Sequence, residues 1–576
     1  MEDAKVHAGA EGPVAPEDPA EKRKGFFVMF ESVIEASPRP HGKPSQEIYL
    51  EGRLADNARF IGGVNDEQIL NLLKSCEGFR KLVHSIGVSV KVKNGQTKTV
   101  GFELQNWGKT SKYESGSRLR ADCPADGSEV IITLADAPLS EDDHVPGKFS
   151  FEFDQPGELA TATVVFYVND GFDVPDISPE PAVDFESDAY RLMIAKSLLH
   201  MGNVHRLQKA IEKAKRGEDV TIAYIGGSIT QGAGAKPIHT ESYAYQSYRK
   251  FKEMFGQNGG DHIHLIKAGV GGTPSQLGII RYERDVLRDG NVKPDIVVIE
   301  FAVNDAGDET KGVCYESLAL KALSADNAPA VILLFSVFVN DWNLQDRLSP
   351  VGFHYDLPMV SVKDAVVDQF RLTKEEGNII SKRQFFYDIF HPTNDGHRVM
   401  ADCIAHLFAE AAKAAPVAED IRLDIPPVIG RDFVNIRLLD RSTDQDIATI
   451  EEGSFTETDR DLQMVEMDDN PHPTPQFPHN WMHKPGAGLG NFRMTIRCKS
   501  LMGVFKDSGR RDFGKAEVFV DGQLVKTYDP HIINWTHCNA VILFQDEQVG
   551  EHVVEIKMAE GDEDKYFTIL GFGYTL

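Results

Sequence analysis

A serine hydroxyl is too weak an acid to attack an ester unaided, so ester chemistry needs a base, a group that orients the base, and donors for the oxyanion. Ser228 follows Gly226-Gly227 at the end of the run T-I-A-Y-I, residues 221–225. β-Branched, small and aromatic residues suit a buried strand, and the two glycines break it. A serine placed there stands at the rim of a sheet, where open α/β sheets bind ligands. A phosphate-cradling loop or a plain turn fits this stretch about as well, so other residues must decide. Asp388 and His391 lie in D-I-F-H-P-T-N-D-G-H, residues 388–397, ahead of a helical pattern at 395–414. Three residues apart, both can project from one turn. The aspartate can then hold the imidazole while the histidine takes the serine proton. Taken alone, the pair could equally be an incidental surface contact.

Two stretches between them complete a set. Residues 267–277 read K-A-G-V-G-G-T-P-S-Q-L, a glycine turn before a helix pattern. Residues 296–305 read I-V-V-I-E-F-A-V-N-D, an apolar run that ends at Asn304. Asn304-Asp305 by itself could be a helix cap. In order, a strand-end Ser, a Gly turn, a strand-end Asn and an Asp-x-x-His resemble the four signature blocks of the SGNH (GDSL-like) hydrolase family. Each block is weak, but four in this order, across residues 187–416, are specific together.

The resemblance implies roles. Ser228 is the expected nucleophile, His391 the base and Asp388 the orienting acid. The family builds its oxyanion hole from the nucleophile's own N–H, a glycine N–H and an asparagine amide. On the match these are Ser228, Gly272 and Asn304, with Gly271 left open as the donor because the tandem glycines allow a shift of one residue. The match departs from the pattern twice. The family's Gly-Asp-Ser is Gly226-Gly227-Ser228 here, so the anchoring of this loop is expected to differ. The usual glycine two residues before the asparagine is Ala302, a change of one small residue for another.

These residues need a frame. Apolar runs at 221–225, 262–266, 295–303 and 330–337 read as strands. Helical spacing at 188–217, 242–255, 275–287, 312–323, 361–370 and 395–414 alternates with them. That alternation predicts a parallel sheet covered by helices on both faces. The resemblance implies a flavodoxin-like three-layer α/β/α domain at 187–418. Residues 1–23 read as a disordered tail, 24–170 as a β-rich N-terminal domain with at least one helix, and 171–186 as a proline-bearing linker. Beyond 419, short strands at 434–439, 494–498, 516–520, 524–528, 540–543, 553–556 and 567–570 predict a β-sandwich of jelly-roll type.

The chain has 576 residues, which suggests about three domains. Its net charge of −27 disfavours nucleic acid and anionic membrane as partners. No apolar run approaches the ~20 residues of a membrane helix. Residues 1–20 lack the basic start and apolar core of a signal peptide, so an intracellular setting is expected. Six cysteines stand singly, as reduced structural thiols would. His262 and His264 alternate on one strand, but no third metal ligand is evident.

One segment stands apart. Residues 470–486 carry His472, Phe477, His479, Trp481 and His483 among five prolines, and residues 528–537 add His531, Trp535 and His537. Trp481 and Trp535 are candidate sugar-stacking residues on the acceptor side of the site, and a stiff loop with its aromatic residues packed inward fits this stretch equally. The expected reaction is serine ester hydrolysis without metal or organic cofactor. By analogy with carbohydrate esterases that carry accessory β-domains, the expected substrate is an O-acetylated xylan- or mannan-type oligosaccharide. A lipase or thioesterase acting on longer acyl chains, and a catalytically silent glycan-binding protein, are the alternatives.

Overall fold

The computed structural model describes residues 25–39, 42–50, 53–175, 180–443 and 447–576. The expected N-terminal tail and part of the expected linker, 176–179, lie outside the described residues. The N-terminal region forms two four-stranded antiparallel sheets, Gly25–Glu35 with Leu159–Val168, Val83–Asn94 and Asp126–Thr133, and Ser45–Tyr49 with Asp143–Glu152, Thr99–Gly108 and Arg118–Pro124. Phe102, Phe149, Phe151 and Phe166 fill the space between them with tilted and edge-on ring contacts. The region's helices include Glu67–Leu72 and Cys76–Leu82, each capped by the side chain before it, Asp66 and Ser75.

The central sheet runs Ile263–Gly269, Val220–Gly226, Ile296–Glu300, Ala330–Phe335, Met359–Ser361. These five strands are parallel, in the order 2-1-3-4-5 by chain position. A sixth, Leu198–His200, closes the edge antiparallel, so the sheet is mixed rather than all parallel. That strand corrects the single helix expected at 188–217. The segment is two helices, Asp188–Ala195 and His205–Lys215, parted by the edge strand. The apolar spacing runs on through the break, but the edge strand Met359–Ser361 takes Leu198–His200 as its partner.

Helices cover both faces, and two apolar cores result. One packs Ile222, Tyr224, Val298 and Leu334 against the helices Tyr243–Phe255 and Asn394–Lys413. The other packs Ala223, Ile225, Val297 and Phe335 against Ser275–Asp285 and Val313–Leu323. It continues without a break into Met502, Val504, Cys538 and Leu570 of the C-terminal region. The C-terminal β-domain is therefore welded to the central one through shared core.

Two C-terminal strands are longer than expected, and four short ones, Ala448–Glu451, Met464–Val465, Thr474–Pro475 and Trp481–His483, add to those expected. Residues 540–543 and 553–556 belong to one strand, His537–Met558, and 494–498 is the start of Phe492–Asp507. Register shifts near Cys498 and Leu501 bend the pair, so that its two halves serve different neighbours. No helix among the described residues is long and apolar enough to cross a membrane.

Candidate active site

Strand register brings the site together. Gly226, the last residue of its strand, pairs with Gly269 on one side and Glu300 on the other. Three strands thus end at one level, and the loops that leave them carry Ser228, Gly271-Gly272 and Asn304. The chain order reverses direction at this point, where open α/β sheets form their crevice. Ser228 opens a short helix, Ser228–Gln231, that begins directly at the strand end.

The structure brings Ser228, His391 and Asp388 into one hydrogen-bonded chain. Ser228 Oγ donates to His391 Nε2 at 2.9 Å, and His391 Nδ1 donates to Asp388 Oδ2 at 2.8 Å. Asp388 Oδ1 also accepts the backbone N–H groups of Phe390 and His391, at 2.8 and 2.7 Å. Burial alone would raise the Asp388 carboxyl. The His391 ring and the two N–H groups outweigh it and hold the carboxyl below its ordinary value of 3.8. The turn is anchored on both sides. Tyr387 packs edge-on against Phe30 of the N-terminal region at 5.3 Å, and Thr393 caps the helix Asn394–Lys413. His397, next along, is buried and lies outside the chain of bonds. It accepts from Tyr243 N, donates to Ala233 O, and burial pushes its value down to about 3.

The tandem glycines differ in what they offer. Gly271 N–H already donates to Gln231 Oε1 at 3.0 Å. Gly272 N–H and Ser228 N–H donate to no protein group among the described residues. Gly272 has φ +74°, the left-handed region that glycine adopts freely. Asn304 lies against Gly227 so closely that a Cβ there would stand 2.1 Å from Asn304 Oδ1. A side chain at position 227 would therefore collide with the asparagine amide. Gly271 in turn is near Ser228, a Cβ on it standing 3.7 Å from Ser228 Cβ.

Two buried carboxyl groups underpin the loops. Asp305 accepts from Ser275 N and Oγ at 2.7 and 2.8 Å, tying the asparagine loop to the helix that follows the glycine turn. Burial, with Asp308 nearby, pushes its carboxyl up to about 8. Glu300 accepts from Ser336 and Thr230, and burial pushes it up to about 7.

Trp481 does not face this site. It is fully buried in the C-terminal core between Phe492 and Phe572, with its indole N–H on Glu452, because Trp481–His483 pairs as a strand with Phe567–Thr575. The proline-rich segment turns its aromatic residue inward, so the expectation for Trp481 is wrong. Trp535 does reach the site. A Cβ on Gly272 would stand 2.9 Å from its Cζ2, and its ring lies 4.7 Å from that of His537. Across the triad, Phe390 lies 6.0 Å from the His391 ring and carries the Arg53 guanidinium at 4.4 Å. Tyr113 of the N-terminal region donates to Asn534 O, so both outer regions meet beside Trp535. His262 and His264 bond Ala214 O and Asp219 respectively.

The sequence points to none of Gln231, Gln463 or Arg53, and marks His537 only as one aromatic residue among several. Gln231 has a weak signal, being a polar residue in the first turn after the serine. The others come from distant chain positions without a motif.

Residues 224–399 match the model of the GDSL-like Lipase/Acylhydrolase family. No curated protein matches the chain. Among solved structures, the chain is similar to a two-domain esterase (CEX) active on acetylated mannans, at 24% identity over 66% of this chain and 99% of that one, TM-score 0.57. The same esterase co-crystallised with mannopentaose gives 24% identity, 66% and 98% coverage, TM-score 0.55. A family two carbohydrate esterase from Clostridium thermocellum in complex with cellohexaose matches at 13% identity over 69% of this chain and 96% of that one, TM-score 0.25.

Proposed function

We propose that this chain, a carboxylic ester hydrolase of the SGNH (GDSL-like) family, removes O-acetyl groups from xylan- or mannan-type oligosaccharides through an acyl-enzyme on Ser228. One observation carries the reading. The unbroken chain Asp388–His391–Ser228 lies beside unspent donors at the ends of three adjacent strands. Ser228 Oγ attacks the acetyl carbonyl while His391 Nε2 takes its proton. Asp388 keeps Nδ1 protonated and stabilises the imidazolium. The developing oxyanion is received by Ser228 N–H, Gly272 N–H and Asn304 Nδ2. Collapse expels the sugar hydroxyl, which recovers the proton from His391. Water, deprotonated by His391, then cleaves the acetyl-enzyme to acetate and free Ser228.

A carbohydrate acceptor is supported by Trp535 at the glycine loop and by the Phe390–Arg53 pair at the histidine, since aromatic faces stack on sugar rings. A short acyl group is supported by the Trp535 ring, which stands against Gly272. The esterase of similar fold acts on acetylated mannans. The strand order 2-1-3-4-5 supports a flavodoxin-like central domain at 187–418, and the bent long strands support a jelly-roll-type sandwich beyond it.

The test is acetate release from acetylated xylan, mannan and their oligosaccharides by wild type and Ser228→Ala. Release by wild type alone is expected. Release by neither, with longer acyl esters still cleaved, would turn the reading to a lipase or thioesterase.

A further inference from the structure

The carbonyls of both loop glycines are held by the C-terminal β-domain. Gln463 Nε2 donates to Gly271 O at 2.8 Å, while its Oε1 accepts from Cys538 N at 3.0 Å. His537 Nε2 donates to Gly272 O at 3.1 Å, and its Nδ1 is hydrogen-bonded with Asp507 Oδ2 at 2.9 Å. Asp507 is fixed by the Tyr528 hydroxyl at 2.5 Å, itself bonded by Asn539 Nδ2 at 3.0 Å. Gln231, which takes Gly271 N–H, is steadied by Glu466 of the same domain at 2.6 Å. Gln463, His537 and Asp507 are buried.

A trans peptide is planar, so Gly271 O and Gly272 N–H point in opposite directions within one rigid unit. Holding that oxygen sets the direction of the N–H. The next unit carries Gly272 O, so Gln463 and His537 grip the peptide planes on either side of Gly272. Tandem glycines have the most backbone freedom to lose and cannot hold such a geometry themselves. None of these groups touches the reacting atoms.

We infer that Gln463 and the Asp507–His537 pair are positioning residues that aim Gly272 N–H into the oxyanion site, making the C-terminal β-domain part of the catalytic apparatus. The inference rests on the proposed serine-hydrolase chemistry with Gly272 as a donor, and is independent of which sugar ester is the substrate. Misplacing a group by about 1 Å can cost ~10²-fold, and losing an oxyanion donor costs ~10²–10³-fold.

The test uses the full chain and p-nitrophenyl acetate, an ester too small to need a sugar subsite. Gln463→Met keeps the length and removes the donor. It is expected to lower kcat ~10–10²-fold with KM within about twofold, and to weaken inhibition by a small alkylboronic acid in proportion, because the tetrahedral adduct uses the same hole. His537→Gln, whose amide can still donate, is expected to keep more kcat than His537→Leu. If Gln463→Met does not fold, the two His537 variants carry the test. Unchanged kcat in Gln463→Met, or equal kcat in both His537 variants, overturns the inference whatever happens to Tm, and so does a rise in KM alone. Ser228→Ala and Asn304→Ala run alongside. Turnover surviving Ser228→Ala would instead remove the hydrolase reading. A loss confined to Ser228→Ala and Asn304→Ala would leave that reading standing and remove the clamp.

Discussion

Gly227→Ala is a one-methyl test of how Asn304 is placed. The added Cβ would stand 2.1 Å from Asn304 Oδ1, against an ordinary contact of about 3.4 Å or more. The amide must therefore retreat by about 1.3 Å, the difference of those two distances. A donor at a typical hydrogen-bond length of about 2.9 Å would then sit beyond 4 Å, where no bond is left. Backbone strain is not the cause, since Gly227 has φ −89°, outside the left-handed region. The expected effect is that of deleting one oxyanion donor, ~10²–10³ in kcat or about 2.7–4 kcal/mol, with little change in KM. Steady-state hydrolysis of p-nitrophenyl acetate measures it, and thermal unfolding checks that the fold is intact. Asn304→Ala should give a similar loss, and the double variant should lose little more than either single one, because both remove the same contact. A Gly227→Ala enzyme within threefold of wild type would refute the argument. So would additive losses in the double variant.

Asp388→Asn should lower kcat by ~10³–10⁴ at neutral pH while the fold persists, because an amide can favour the wrong imidazole tautomer; stopped-flow or steady-state rates against circular dichroism separate the two. Trp535→Ala should raise KM for an acetylated oligosaccharide and leave that for p-nitrophenyl acetate alone. Trp481→Ala should instead cost about 3–5 kcal/mol of stability, read as a lower Tm, since it empties a buried indole site. Glu300 has a folded value of about 7 against an ordinary 4.5, so the folded chain binds the extra proton between those values. Its contribution, on the order of 3 kcal/mol, is fully present below about pH 4.5 and is lost as pH rises towards 7. Glu300→Gln should flatten the fall of Tm across that window, and an unchanged slope would show that Glu300 does not set it.

Much of the site was legible because its parts are local. Ser228 at a strand end after two glycines, and Asp388 with His391 three residues apart before a helix, are ambiguous singly and become legible in order with the glycine and asparagine blocks between them. Other features depend on partners the sequence does not display. The helical spacing at 188–217 hid an edge strand, because pairing with Met359–Ser361 outweighed the local pattern. Trp481 sat among five prolines in a stretch that fits exposure and inward packing equally, and strand pairing with Ile569 carried it into the core.

The sequence by itself singled out Ser228, His391, Asp388 and Asn304, because the four short blocks that carry the family resemblance are local stretches whose order survives without knowledge of the fold. It could not choose between Gly271 and Gly272. Tertiary structure separates the two: Gln231 takes the Gly271 N–H, and the Gly272 N–H has no protein acceptor among the described residues. The groups that grip the loop lie 192 and 265 residues away, at Gln463 and His537. Whether a backbone donor is free, and which way it points, depends on every side chain folded against it, and no local pattern encodes that.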